Sequence, residues 1–272
     1  MRSAVERTAR NAVVGVIPAA GQATRLSPLP CSKELYPIGF MEGSGANAVR
    51  PKVASHYLLE KMRLAAIREA YVVLRKHKWD IPAYWGDGSI LGMSLAYLVM
   101  DTSPGVPFTI DHAYPFVQNA TVAFGFPDIL FGPEDAFLQL IARHESCHAH
   151  VTLGLFPANS PEKVDMVDID EQGRVRQIVI QPRNTPLRHS WGIAVWEPVF
   201  TQFLHEQVAS LRALALAQPE VSVGQIFRLA IEAGLQVNST TVSELPYVDI
   251  GTPEGLIDGM QLTVTNSALR QR

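Results

Sequence analysis

Ala12-Val-Val-Gly-Val-Ile-Pro18 runs directly into Ala19-Ala-Gly21-Gln-Ala-Thr24-Arg25-Leu26. The first seven residues form a short, unbroken apolar run. Such a run suits a strand buried on both faces, as in a parallel sheet. The residues that follow are small, and a strand ending in a small-residue turn exposes several backbone N–H groups. Those groups can cradle phosphate oxygens. Arg25 adds a fork of donors, and Lys33 adds a point charge eight residues later. Two cations in the first long loop of a chain with a slight acidic excess point to an anionic ligand. An exposed loop with two ordinary surface cations is the competing reading.

Outward from this stretch, residues 19–50 lack periodicity and carry Gly21, Pro28, Pro30, Pro37, Gly39, Gly43 and Gly45, which reads as a long functional loop. Pro51 is expected to open a helix, with Val53, Tyr57, Leu58, Met62, Ala65 and Ala66 at three- and four-residue spacing. Strands are expected at 71–74, 95–100, 121–126 and 149–156, with a helix over 134–144. The order β-loop-α-β-α-β-α-β-α-β argues for a largely parallel sheet wrapped by helices. Residues 164–170 and 174–180 flank Glu171-Gln-Gly173 and read as an inserted hairpin. One more strand is expected at 192–196, helices at 199–217 and 222–233, and a β-like stretch at 235–242. Asp249-Ile-Gly-Thr-Pro253 then reads as a turn before a short final helix.

The length of 272 residues allows about two domains, but one large α/β domain fits as well. No linker or internal repeat divides the chain. The expected layout is an extension over 1–11, one domain over 12–262 and a tail over 263–272. Net charge is −3, which gives no footprint for nucleic acid. Two cysteines, Cys31 and Cys147, cannot form a disulfide framework. No leader-like apolar core stands near the N-terminus, and no run is long enough to cross a bilayer. The expectation is a cytoplasmic protein without membrane or nucleic-acid partners.

Several separated motifs carry a resemblance. Gly21-Gln-Ala-Thr24-Arg25-Leu26-Ser-Pro28 with Ser32-Lys33-Glu-Leu35-Tyr-Pro37 resembles the signature of the sugar-1-phosphate nucleotidyltransferases, nearest to the glucose-1-phosphate thymidylyltransferases. Arg50-Pro51-Lys52, Gly86-Asp87-Gly88-Ser89, Phe126-Pro127-Asp128 and Tyr247-Val-Asp249-Ile-Gly251-Thr-Pro253 continue it in order across residues 12–258. The resemblance implies a Rossmann-like α/β domain with a mixed, mostly parallel sheet flanked by helices. It also implies that a nucleoside triphosphate and a sugar 1-phosphate react with release of pyrophosphate.

By the same resemblance, Arg25 holds the leaving pyrophosphate, and Lys33 meets the α-phosphate and the incoming sugar phosphate. Asp128 and Asp249 hold Mg²⁺, an ion usually bound by one or two carboxylates together with phosphates. The backbone of Ala20, Gly21 and Gln22 lies against the nucleotide, and Gly105 approaches the base.

Departures from the family pattern are also legible. Ala23 stands where the family has its second glycine. Met100 replaces a base-reading glutamine and offers no paired amide hydrogen bonds. In the sugar-phosphate half, Gln181 replaces a lysine with Arg183 nearby, Asp165 replaces a glycine, and Trp191 replaces a threonine. The nucleotide half looks retained and the sugar half rebuilt. This leaves open an enzyme with a different acceptor or a binding protein without turnover. The family's tetramer is not implied by the short C-terminus, so assembly as a homo-oligomer stays open.

His144-Glu145-Ser146-Cys147-His148 matches the zinc-peptidase pattern H-E-x-x-H, with His150 as a third candidate ligand. The sequence turns β-like immediately afterwards, and no further ligand follows at an accepted spacing. The expected placement is the surface end of a helix.

Overall fold

Val13–Ala19 (β1) lies inside a nine-stranded sheet and is buried along most of its length. Alternate side chains enter two separate cores, Ile17 and Ala19 on one face, Val14 and Val16 on the other. That is why the opening apolar run shows no alternation: both faces are covered. The structure is a computed structural model describing residues 12–42, 49–214 and 221–270. The expected extension over 1–11 and the last two tail residues lie outside the described residues.

Pro37–Glu42 (β2) and Val49–Val53 (β3) form a separate antiparallel pair. This corrects two expectations. The region 19–50 is not all loop, and Pro51 does not open the helix. Pro51 sits opposite Phe40 in the ladder, where an edge strand tolerates a residue that cannot donate. The helix Ala54–Leu64 (α1) begins three residues later.

Glu69–Arg75 (β4), Asp80–Trp85 (α2), Ser94–Met100 (β5), Val106–Asp111 (α3), Tyr114–Val117 (α4) and Thr121–Gly125 (β6) follow. β6, β1, β4 and β5 pair in parallel, in that spatial order. After the two-residue strand Ile129–Leu130 (β7) come Ala136–Cys147 (α5), Val151–Pro157 (β8), Met166–Ile169 (β9), Val175–Val179 (β10) and His189–Trp196 (β11). β11 runs antiparallel to β6, and β9–β10 is the expected hairpin at the sheet's far edge. Its turn is fixed by Asp170 Oδ1, which accepts from the N–H groups of Gln172 and Arg174 at 2.9 Å each.

Pro198–Leu214 (α6), Val223–Glu232 (α7), Val237–Thr241 (β12), Val248–Asp249 (β13) and Pro253–Arg270 (α8) complete the chain. The final helix is therefore 18 residues long rather than short, and it runs unbroken through position 262. The buried Thr263 hydroxyl donates to the Ile38 carbonyl of β2, which docks α8 on the β2–β3 pair. The cluster containing α1 and α5 side chains (Leu58, Met62, Phe137, Leu140) covers one face of the sheet. That of α6 and α7 (Phe200, Leu204, Ile226, Phe227) covers the other. The fold is a Rossmann-like α/β domain with a mixed sheet, as the sequence implied. No described helix is long and apolar enough to cross a membrane.

Candidate active site

Asp128 and Asp249 are 121 residues apart in sequence, and a two-residue ladder brings them together. β13 pairs antiparallel with β7, setting Asp249 opposite Ile129. The Ile250 N–H donates to the Asp128 carbonyl at 3.0 Å, so the two acids arrive side by side. Gly251 forms the floor. A Cβ there would stand 2.8 Å from Asp249 Oδ1, 3.2 Å from Arg25 Nη2 and 3.4 Å from Asp128 Oδ2. The Gly251 N–H also donates to Asp249 Oδ1 at 2.8 Å.

Each acid has a cation from the loop after β1. Lys33, in a 3₁₀ turn over Lys33–Leu35, donates from Nζ to Asp128 Oδ2. Arg25 Nη2 lies 3.7 Å from Asp249 Oδ2. Gly21 abuts the same place, since a Cβ on it would stand 4.0 Å from Lys33 Nζ. Ala23, in the family's glycine position, holds φ at 53°, the left-handed region where glycine costs least.

Charge crowding shows in the proton affinities. Burial raises the pKa of Asp249, and the charge of Asp128 raises it further; the Gly251 N–H, Lys33 and Arg25 oppose this only in part. Burial by itself would lower the pKa of Lys33, but Asp128, Glu34 and Asp249 outweigh it, and the ammonium is held. Two adjacent carboxylates, one resisting ionisation, make a donor set that a divalent oxygen-seeking cation would relieve. Among the described residues no group of three or more metal-ligating side chains exists, so the remaining ligands would have to come from phosphate and water.

Sequence reasoning missed how Lys33 is anchored. Ser32 donates from its N–H and Oγ to Asp80 Oδ2 and Oδ1 at 2.6 and 2.7 Å. Lys78 donates to both oxygens of the buried Glu34 at 2.7 and 2.8 Å. The two residues flanking Lys33 are thus bonded to the two flanking Trp79. The complementary tripeptides Ser32-Lys-Glu34 and Lys78-Trp-Asp80 are visible in the sequence only once their pairing is known.

The other expected residues are placed as follows. Ala20 is buried, while Gly21 and Gln22 are exposed at the head of the loop. Met100 ends β5 and accepts from the Lys76 N–H at 2.9 Å; Gly105 precedes α3, and its carbonyl accepts from Ser103 Oγ at 2.8 Å. Asp165 lies against the N-terminus of α7, where Oδ2 accepts from Ser222 Oγ at 3.1 Å and Oδ1 is buried without a hydrogen bond. The pKa of Tyr247 is pushed up to about 12, by burial first and also by the charges of Asp249 and Asp165. Trp191 is buried among Phe124, Phe126 and Phe227. Gln181, at φ 41°, and Arg183 are exposed, and no side-chain hydrogen bond among the described residues joins them to the acid pair.

The structure corrects the expected surface placement of the H-E-x-x-H stretch. His144 is buried rather than at a surface end, with Nδ1 2.8 Å from Thr152 Oγ1 and Nε2 3.0 Å from Glu197 Oε1. Both ring nitrogens are engaged, and burial holds its pKa down. The helix ends at Cys147, and His148 turns away at φ 50°. His150 Nδ1 accepts from the Gln236 N–H at 3.0 Å.

Comparison with known proteins identifies the family. The chain is 25% identical over 262 residues to the low-salt glycan biosynthesis nucleotidyltransferase Agl11 of Haloferax volcanii, covering 95% of this chain and 68% of that protein. It is 23% identical over 257 residues to a glucose-1-phosphate thymidylyltransferase of Neisseria meningitidis, covering 92% and 82%. In fold it matches the crystal structure of a Bacillus anthracis protein provisionally named a glucose-1-phosphate thymidylyltransferase. That match has a TM-score of 0.76 at 19% identity and covers 93% of this chain and 95% of that one. Residues 14–266 match the family described as nucleotidyl transferase, and the chain belongs to that family.

Proposed function

We propose that the protein transfers a nucleoside monophosphate from a nucleoside triphosphate to a sugar 1-phosphate, or a similar phosphorylated acceptor, and releases pyrophosphate. The observation that carries this reading is the β7–β13 pairing, which sets Asp128 and Asp249 beside Lys33 and Arg25. The activities for which the relatives are named support it.

An acceptor phosphate oxygen forms a bond to the α-phosphorus as the bond to the β-phosphate oxygen breaks. The nucleophile is already an anion, so no general base is required. The work is alignment and charge neutralisation. Bound at the two aspartates, a divalent ion, for which we propose Mg²⁺, would neutralise phosphate charge. Lys33 then exchanges its bond to Asp128 for the α-phosphate, and Arg25 exchanges Asp249 for the departing pyrophosphate. The backbone of Ala20, Gly21 and Gln22 lines the triphosphate, and Gly105 lies near the base. Met100 provides no directional hydrogen bond to a base edge. Asp165, Gln181, Arg183 and Trp191 belong to the acceptor half in this reading. The two free thiols, Cys31 and Cys147, suit a reducing compartment such as the cytoplasm.

The test is pyrophosphate release across a panel of four nucleoside triphosphates and a set of sugar 1-phosphates and other phosphomonoesters, with Mg²⁺ present. Turnover with one pair and none without the metal is expected. Saturable nucleotide binding with no pyrophosphate from any pair overturns the enzyme reading and leaves a binding protein.

A further inference from the structure

Glu34 is 1% exposed and immediately follows Lys33, so a buried carboxylate stands next to the ammonium on which the proposed reaction depends. Two cations face it, Lys33 from its own turn and Lys78 from the segment between β4 and α2; Asp128 is the other charged group felt there. In the structure the competition is settled. Lys78 Nζ takes both Glu34 oxygens, at 2.7 and 2.8 Å, and Lys33 Nζ is on Asp128. Two residues away, Asp80 takes both donors of Ser32. Bonds at positions 32 and 34 leave the residue between them to point toward the acid pair.

We propose that Lys78 is a positioning residue: by occupying both oxygens of Glu34 it keeps that carboxylate from capturing Lys33, and together with the Asp80–Ser32 bonds it aims the Lys33 ammonium at the phosphate site. This rests on the role given to Lys33 under the proposed function. The need arises in turnover. Lys33 must leave Asp128 when the triphosphate enters, and at that moment an unoccupied Glu34 is a buried anion that competes with the substrate for it. Lys78 itself lies beneath the turn and is 9% exposed, so its effect passes through Glu34 and not through contact with the substrate. A methionine at 78 keeps the bulk and removes the counter-charge. A further Glu34→Gln change then removes the anion that would draw Lys33 away.

The experiment measures kcat, KM and melting temperature, with the substrate pair found by the panel, for the wild type, Lys33→Met, Lys78→Met, Lys78→Arg and the double variant Glu34→Gln/Lys78→Met. Displacing a reacting group by about 1 Å can cost on the order of 10²-fold. Lys78→Met is expected to lose kcat on that scale at a temperature where it is folded, with KM little changed. Lys78→Arg is expected to keep most activity, and the double variant to regain most of what Lys78→Met lost. A folded Lys78→Met with kcat within about twofold of wild type, well short of that misplacement cost, overturns the proposal. So does a double variant that regains its melting temperature but not kcat. Should Lys78→Met not fold, the double variant decides: kcat well above Lys33→Met supports the proposal, and kcat at the Lys33→Met level overturns it. If Lys33→Met itself turns over at the wild-type rate, the parent reading falls and this one with it; if Lys33→Met is inactive while Lys78→Met is not impaired, only the positioning role falls.

Discussion

Replacing Asp249 with asparagine separates the chemistry of the site from the stability of the fold. The change is isosteric, and Asn Oδ1 can still accept from the Gly251 N–H, which Asp249 Oδ1 does at 2.8 Å. What is lost is one negative charge. In the free protein that charge is poorly accommodated: burial raises its pKa above the ordinary 3.8, and Asp128 adds to the rise. The compensating Arg25 contact is long, 3.7 Å, and involves a side chain 62% exposed, so solvent screens most of it. The carboxylate is itself 40% exposed, so the net effect on stability is at most about 1 kcal/mol. The expected melting temperature is unchanged or higher by up to about 2–4 °C for a chain of this size.

The sign follows from linkage. An acid with a raised folded-state pKa binds more protons folded than unfolded, so stability falls as pH rises from the ordinary carboxylate value through the raised one. Asp249→Asn removes that fall. Its stability relative to wild type should therefore be least favourable below about pH 4 and improve toward neutrality. Turnover moves the other way. Losing one charge-stabilising contact to the transition state typically costs about 10²–10³ in kcat. Pyrophosphate release and thermal melting at pH 4 and pH 7 test both halves. A variant that keeps wild-type turnover, or that unfolds at neutral pH, refutes the assignment of Asp249 to a charge-crowded phosphate site.

Other perturbations have equally definite outcomes. Gly251→Ala puts a methyl 2.8 Å from Asp249 Oδ1 and should reduce pyrophosphate release at least about tenfold while circular dichroism stays native; wild-type activity would show that the floor is not used. Glu60 is pushed up by burial, but bonds from His56 and Lys52 outweigh this and hold its pKa at about 2. Glu60→Gln should cost up to about 3 kcal/mol at pH 7, and the deficit should fade as pH falls from 4.5 toward 2; a deficit independent of pH in denaturant titrations would contradict the ion pairing. His144→Ala should lower stability by about 2–4 kcal/mol through a cavity and two lost hydrogen bonds, with no change in bound zinc by elemental analysis. A stoichiometric zinc lost on that substitution would restore the metal reading.

What the sequence revealed and what it hid divide along physical lines. β1, β4 and β6 were legible because strands covered on both faces must be apolar throughout, and runs such as Val13–Ala19 and Thr121–Gly125 have few other uses. β2 was hidden because Pro37 and Gly39 read as loop residues, and β3 because Pro51 mimics a helix start while sitting in an edge ladder. β7 and β13 were out of reach for another reason. Two residues show no period, yet this ladder sets the geometry of both acids. The motifs named Asp128 and Asp249 without saying what joins them. His144 was misplaced because H-E-x-x-H fixes helix spacing but not which face is buried. Thr152 and Glu197, which claim its two nitrogens, come from elsewhere in the chain.

The resting arrangement also explains how two like charges can be held at the edge of a core before any ligand arrives. Asp128 is 7% exposed, and a lone carboxylate at that depth next to a second one would be strongly disfavoured. Lys33 and Arg25 serve as the counter-ions, one for each acid, and both come from the loop that grips the triphosphate in the proposed reaction. The cations are thus stored on the groups that would bind the metal in the proposed reaction. A metal–triphosphate complex carries cation and anion together, so it can satisfy both acids and both bases in one exchange of partners. The free metal, which satisfies only the acids and leaves Lys33 and Arg25 facing added positive charge, gains much less. Binding of metal and nucleotide should therefore be strongly cooperative: calorimetric titration with Mg²⁺ alone is expected to give weak heats, and titration in the presence of the nucleotide a tight, saturable isotherm. Equal affinity for the metal with and without nucleotide would mean that the lysine and arginine are not the acids' exchangeable partners.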